Sequence, residues 1–319
     1  MASHELRILV PVDFSDTSRR ALDEAFAWAL RAPTQLHLVH VVDATDGHLA
    51  GELVHNFEEL ARIAEMELAK MVPTGAGHEP IGEIQRHLRS GDPATEILRT
   101  AIHQGVDLII MGTHGRTGVR RLFMGSVAEK VVRRAGCPVL CVKPAASGEP
   151  ERAPTWRRLL CPVDFSDTSH RALLAAVDLA RRLNVELFVL HVYLPPAMTS
   201  PDGSVVGTPE LIESVATAAE ANLAAWRREA QARAGADVKI GAACVLGSPA
   251  DEIVRFARQQ SAGAIVMGTH GRTGLVRVLM GSVAEKVVRT APCPVLTIHP
   301  AQPAGAKESD PEPPVIPLA

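Results

Sequence analysis

Aromatic side chains are scarce in this chain of 319 residues: one tyrosine, three tryptophans and seven phenylalanines, 3% in all. That leaves little material for base-stacking platforms or sugar-stacking grooves. Nowhere does the chain approach the ~20 consecutive apolar residues that span a bilayer. Charge of one sign is also missing: the formal net charge is -3, so no global basic field argues for nucleic acid or an anionic membrane. The five cysteines are odd in number and none form C-x-x-C. They read as reduced, small hydrophobes rather than a disulfide scaffold. Cys137 and Cys141 have zinc-like spacing, but a second pair of ligands is missing and no metal site is expected. Acidic residues and a proline come too early in MASHELRILVPVDFSD for a signal peptide, so a cytoplasmic chain is expected.

Three nucleotide and hydrolase motifs are absent too. There is no Gly-Lys dipeptide and hence no Walker A loop, and no G-x-G-x-x-G follows the first strand. No G-x-S-x-G elbow occurs, which removes the α/β-hydrolase reading.

What is present is globular, with 46% apolar and 22% charged residues. The length argues for two domains. The chain also repeats itself. PVDFSDTS occurs at Pro11–Ser18 and Pro162–Ser169, MGTHGRTG at Met111–Gly118 and Met267–Gly274, and MGSVAEKVVR at Met124–Arg133 and Met280–Arg289. The offset is 151 residues at the first block and 156 at the others, so the second copy is five residues longer in its middle. Such a period marks a duplicated domain rather than a solenoid. The boundaries read 1–144 and 156–300, with a linker at 145–155 and a proline-rich, disordered tail at 301–319.

Each copy alternates strand and helix. In the first, strands are expected at Arg7–Asp13, Leu36–Val42, Glu83–Ser90, Asp107–Gly112 and Pro138–Lys143. Helices are expected at Ser18–Leu30, His55–Met71, from Asp92-Pro93, and at Ser126–Arg134. Asp92 serves as N-cap with proline at the first helical position, and Ser248-Pro249 takes that place in the second copy. The second copy has strands near Leu159, Leu187, Val238, Ile265 and Val295. The fold class is therefore α/β: two tandem doubly wound, five-stranded parallel-sheet domains, Rossmann-like, with strand order 3-2-1-4-5. Ligands bind such sheets where the order reverses, at the strands' carboxyl ends. The repeated residues fall there, with Pro11 at the exit of its strand, where its missing N–H costs little.

The most informative segment is Gly112-x2-Gly115-x9-Gly125-Ser126, with its twin Gly268-x2-Gly271-x9-Gly281-Ser282. Glycines there can adopt positive φ and let a ligand approach the backbone. Ser126 to Glu129 and Ser282 to Glu285 read as capping boxes. Free amides at that helix start, with the dipole's positive end, make a phosphate site. His114 and Arg116, with His270 and Arg272, stand nearby. A glycine-rich turn and a capped helix with nothing bound is the plain alternative. Asp13 and Asp164 can cap the turn that follows them or accept from a nucleoside, and the two roles are compatible. His37 and His40 lie three apart on a strand and face opposite sides, which argues against a shared metal. Met124 and Met280 read as core, and Arg120 and Arg121, aligned with Val276 and Arg277, as a solvated rim.

With its G-x2-G-x9-G-[ST] loop in both copies, the chain resembles the universal stress protein family in its tandem form and ATP-binding subclass. The resemblance covers about residues 5–144 and 156–300. It implies ATP, carried with Mg²⁺, at one site per copy, as a nucleotide-binding stress-response protein. Pro11, Val12 and Asp13, with Pro162, Val163 and Asp164, would meet the adenosine. Main chain at Val41 and Val192 would read adenine, and Met111 and Met267 would flank the nucleoside. Gly112, Thr113, His114, Gly115, Arg116, Gly125, Ser126 and Val127 would hold ribose and phosphates. Gly268, Thr269, His270, Gly271, Arg272, Gly281, Ser282 and Val283 would do so in the second copy. Pairing through the fifth strand, Val139–Lys143 with Val295–His299, would make an internal pseudo-dimer able to associate further. A phosphate cradle without a positioned base or P-loop lysine points to a regulatory, conformational output. The alternatives are a weak ATPase or phosphotransferase, and a partner-binding module holding AMP or cyclic AMP. Neither nucleic acid nor membrane is an expected partner.

Overall fold

The computed structural model describes residues 5–42, 53–71, 84–114, 124–144, 156–194, 198–199, 205–206, 209–271 and 280–300. The expected linker and tail, Gly115, Arg116, Arg272, and the rim residues 120–121 and 276–277 lie outside the described residues. The chain divides into two compact units at Pro154/Thr155.

The first unit runs β1 (Leu6–Pro11), α1 (Asp16–Ala29), β2 (Thr34–Val42), α2 (Leu53–Met71), β3 (Ile84–Ser90), α3 (Pro93–His103), β4 (Leu108–Gly112), α4 (Ser126–Arg134) and β5 (Val139–Val142). Its strands pair in parallel in the order β3-β2-β1-β4-β5. This is the expected 3-2-1-4-5 arrangement. The second unit runs β6 (Arg158–Val163), α5 (Asp167–Leu183), β7 (Glu186–Tyr193), β8 (Met198–Thr199), β9 (Val205–Val206), α6 (Pro209–Ala234), β10 (Ile240–Leu246), α7 (Pro249–Gln259), β11 (Ala264–Gly268), α8 (Ser282–Thr290) and β12 (Val295–Ile298). Its five long strands repeat the order as β10-β7-β6-β11-β12. The short β8 and β9 form an antiparallel pair that the strand reading did not foresee. A Pro201-Asp202-Gly203 turn sequence between them was the available signal.

Right-handed crossovers put helices on both faces of each sheet, and the strands that lie centrally become fully buried. Ile8, Leu9, Val10, Ile109, Ile110, Leu159, Leu160 and Ile265 are inaccessible to solvent. This is why β1, β4 and their twins read as continuous apolar runs without alternation. The two reversal points lie between β1 and β4 and between β6 and β11.

Two expectations about helix starts need correction. Ser126 and Ser282 are first helical residues, not caps; Gly125 and Gly281 hold the N-cap position with extended dihedrals and offer no side chain. An S-x-x-E pattern cannot register that the residue before it already supplies the cap geometry. Glu129 is taken by Arg133 at 2.9 Å instead of turning back. Ser248 does sit at the N-cap of α7, but its hydroxyl makes no cap bond. By contrast Asp92 accepts from the Thr95 N–H at 2.9 Å and caps α3 as expected. Met124 and Met280, expected in the core, are only half-buried.

Candidate functional site

Each site begins where its first strand ends. Asp13 Oδ1 accepts from the Ser15 N–H at 3.1 Å and the Ser15 hydroxyl at 2.6 Å, and Ser15 Oγ in turn accepts from the Ser18 N–H at 3.2 Å to cap α1. Asp164, Ser166 and Ser169 repeat all three bonds at 3.1, 2.6 and 3.2 Å. The D-F-S-D sequence is thus a chain of caps that turns the strand into the helix, with four residues between β1 and α1 and three between β6 and α5. The sharpness of the turn falls on Phe14 and Phe165, both at φ 63°. For a side chain of that bulk the left-handed region costs about 1–2 kcal/mol.

The two repeated motifs touch. A Cβ on Gly112 would lie 2.8 Å from Thr17 Cγ2, and one on Gly268 would lie 2.8 Å from Thr168 Cγ2. The first turn of α1 or α5 therefore packs directly onto the end of β4 or β11, and only glycine leaves room. At Gly271 an added Cβ would meet Asp164 Oδ2 at 2.6 Å. None of the described loop glycines has positive φ. Their task is close approach rather than an unusual backbone, which corrects half of the expectation.

The base of the loop is closed by its own backbone. Gly125 N–H donates to Thr113 O at 2.7 Å, and Gly281 N–H to Thr269 O at 2.8 Å. Thr113 and Thr269 are buried and their N–H groups bond Val142 O and Ile298 O on the neighbouring fifth strands. Behind this latch α4 and α8 begin with N–H groups that no side chain caps, at the positive end of the helix dipole.

A cavity of about 320 Å³ opens here in the first unit. Pro11, Val12, Asp13 and Val41 line it from the β1 and β2 ends. Met111, Gly112, Thr113 and His114 line it from β4, and Gly125, Ser126 and Val127 from the start of α4. In the second unit a cavity of about 620 Å³ is lined by Pro162, Val163, Asp164 and Val192, by Met267, Gly268, Thr269, His270 and Gly271, and by Gly281, Ser282 and Val283. Every expected site residue within the described residues lies on one of these walls.

Sequence reasoning missed other parts of the walls. Pro93 and Ile97 of α3, with Pro249 and Ile253 of α7, close one side of each cavity. The Asp-Pro and Ser-Pro signals located these helices but not their second task. Lys130 to Asp92 at 3.2 Å and Lys286 to Asp251 at 2.7 Å tie α3 to α4 and α7 to α8. Asp92 is held below the usual carboxylate range chiefly by the Thr95 hydroxyl and N–H. In the second unit Val215, Ala218, Ala219 and Asn222 add a wall from α6.

His114 Nδ1 and His270 Nδ1 each lie 2.9 Å from the hydroxyl of the preceding threonine. The buried Nε2 of His270 has no hydrogen-bond partner among the described residues. His37 and His40 do face apart: His37 Nδ1 meets His87 Nε2 at 3.1 Å, whereas His40 Nδ1 meets Val12 O at 2.7 Å. Burial pushes the Cys137 and Cys141 thiols up to about 12. No helix among the described residues is long and apolar enough to cross a membrane.

Two doubly wound arrangements, each with a glycine-lined cavity at its reversal point, define a duplicated α/β fold. The profile of the universal stress protein family matches residues 6–143 and 155–299, and the chain belongs to that family. Universal stress protein Rv2005c of Mycobacterium tuberculosis is 34% identical over 198 residues, 61% of this chain and 62% of that protein. The match thus spans about three fifths of that relative's length. A universal stress protein of Mycolicibacterium smegmatis is 29% identical over 307 residues, 93% of this chain and 98% of that one. The crystal structure of a universal stress protein from Archaeoglobus fulgidus superposes with a TM-score of 0.68 at 23% identity, over 91% of this chain and 97% of that chain. At that identity the likeness speaks for the fold.

Proposed function

We propose that each cavity holds one adenine nucleotide, with ATP and its Mg²⁺ as the expected ligand, and that the chain is a stress-response regulator whose output is conformational. One observation carries this reading: the starts of α4 and α8 present uncapped N–H groups to a cavity at each sheet's reversal point. Such a helix start favours an anion by its dipole and its unpaired donors together. The glycines that a Cβ would jam against Thr17, Thr168 or Asp164 let the strand ends and the first helix close tightly around that place.

The residues fit the ligand in other respects. A buried ring nitrogen without a partner calls for one, and His270 Nε2, when protonated, would donate to a phosphate oxygen. Asp13 and Asp164, held in place by Ser15 and Ser166, would stand at the nucleoside end of the ligand. Val41 and Val192 would supply main-chain groups to the base, and Met111 and Met267 an apolar flank. Gly115, Arg116 and Arg272 belong to the same proposal by their place in the motif. Among the described residues no three His, Cys, Asp or Glu side chains form a metal cluster, so Mg²⁺ would arrive on the phosphates.

Equilibrium dialysis of the whole chain against labelled ATP tests the reading. Two nucleotides per chain are expected; fewer than one at millimolar ATP would sink it. Competition by AMP and cyclic AMP fixes the phosphate requirement. Turnover well above background would move the protein to the enzyme class.

A further inference from the structure

His40 and His191 are imidazoles to which the nucleotide reading gives no task. Both are buried, 8% and 6% exposed. In each, Nδ1 lies 2.7 Å from a main-chain carbonyl 28 residues earlier, Val12 O for His40 and Val163 O for His191. A carbonyl only accepts, so each ring carries a proton on Nδ1. Each ring also packs on the left-handed phenylalanine after the pocket aspartate. The centroids are 4.6 Å apart for Phe14 and His40 and 4.3 Å for Phe165 and His191. A left-handed backbone at such a residue persists only where its surroundings over-determine it.

The main chain at Val12 shows what the ring bond does. Val12 N–H donates to Val39 O at 2.8 Å, the last sheet bond of that strand exit. A regular parallel ladder would continue from the Val12 carbonyl to the N–H of Val41. Instead β1 ends at Pro11, the ring of His40 binds that carbonyl, and Val41 lines the cavity. In the second copy β6 runs one residue further, so the Val163 carbonyl keeps its place in the ladder with β7; there His191 binds it as a second donor, and its ring also lines the cavity.

We infer that His40 and His191 are positioning residues of the two cavities. By holding the strand-exit carbonyl and the left-handed phenylalanine, they aim Asp13 and Asp164 and set the ends of β2 and β7 against the nucleoside. This rests on the nucleotide-binding reading and adds to it a division of labour. The imidazoles act on the nucleoside end of the ligand and leave the phosphate end to the helix starts.

The test compares His40→Leu/His191→Leu with His40→Asn/His191→Asn in the whole chain, by affinity for ATP and for inorganic tripolyphosphate. Asparagine places a donor where Nδ1 stands; leucine fills the space without one. The leucine pair should weaken ATP most at the N-terminal site, by about tenfold or more, as expected where the buried Val12 carbonyl is orphaned, and leave tripolyphosphate within about twofold. The asparagine pair should recover most of the ATP affinity. Unchanged ATP binding by the leucine pair would overturn the inference, as would a parallel loss of both ligands. Wild-type protein that binds neither ligand would instead overturn the nucleotide reading. Where the leucine pair does not fold, long-range ¹H–¹⁵N spectra of wild type decide. Nδ1–H tautomers in both rings, shifted by ATP but not by tripolyphosphate, are expected; an Nε2–H tautomer in either ring overturns the inference.

Discussion

In the N-terminal copy the cavity measures about 320 Å³ and no described residue of α2 lines it, whereas in the C-terminal copy it measures about 620 Å³ with four residues of α6 on its wall. The main-chain parts of the two sites are nearly superposable in their bonds, down to the 2.6 Å contact between aspartate and serine and the closure of the loop base. The difference lies in the second helix. α6 has 26 residues against 19 in α2, and it is fastened to α5 and the turn before it over about two helical turns. Glu229 meets His170 at 2.8 Å, Arg233 grips Asp178 at 3.0 and 2.7 Å, and Trp226 stands edge-on to Phe165 at 5.2 Å. Reading A-E-M-E-L of α2 against A-E-A-N-L of α6 puts Met71 where Trp226 is, and Glu67 where Asn222 is. Duplication has kept the backbone around the two helix starts and let the side chains above it diverge.

The largest effect should come from removing one site. Gly271→Val drives a side chain into Asp164, and overpacking of that kind costs about 1–3 kcal/mol, up to roughly a hundredfold in affinity. Dialysis should then find one nucleotide per chain instead of two; two would show that the C-terminal cavity is not the site. Trp226→Met makes the second copy resemble the first. Loss of the aromatic contacts should weaken only the C-terminal site, by about 0.5–1.5 kcal/mol, read as a splitting of one isotherm into two. Equal weakening at both sites would break the contrast drawn between α2 and α6.

A smaller asymmetry sits at the third helix of each copy. Asp92→Ala should lower stability by about 1 kcal/mol. Ser248→Ala should change it by less than about 0.5 kcal/mol, since that hydroxyl caps nothing. Chemical denaturation distinguishes the two, and equal losses would contradict the observed caps. The smallest effect is a pH dependence. His87 is pushed down to about 4, chiefly by burial and then by His37 and Arg89. Folding therefore favours its neutral form: the stability is whole above about 6.5, the ordinary value, and is lost as pH falls toward about 4. His87→Ala, which copies Ala243 of the second unit, should lessen the acid-induced drop in melting temperature by about 1–2 °C, because water screens a partly exposed ring. An unchanged drop would place the acid sensitivity elsewhere, His299 being the obvious second group, since it too is held at about 4.

Most strands and helices, and the strand order of both sheets, were legible in the sequence because buried parallel strands and amphipathic helices differ in length and period. The site's edge was legible for a different reason: the duplication marked it twice. The capping boxes were misread because Gly125 and Ser126 are both acceptable N-caps, and only dihedrals decide between them. The glycines were located but their task was not, since a sequence cannot distinguish a residue chosen for positive φ from one chosen for a missing Cβ. His40 was seen as a possible ligand and dismissed; its bond to Val12 depends on how two strands end side by side. The wall from α6 was invisible for a similar reason, because its residues face the cavity only once α5 has anchored the helix.

The bond from Gly125 to Thr113, and its twin from Gly281 to Thr269, makes the chain leave and re-enter each site at a single point. Between those points the two copies have diverged in sequence, Arg120 standing where the second copy has Val276, while the closure that frames them is the same in both.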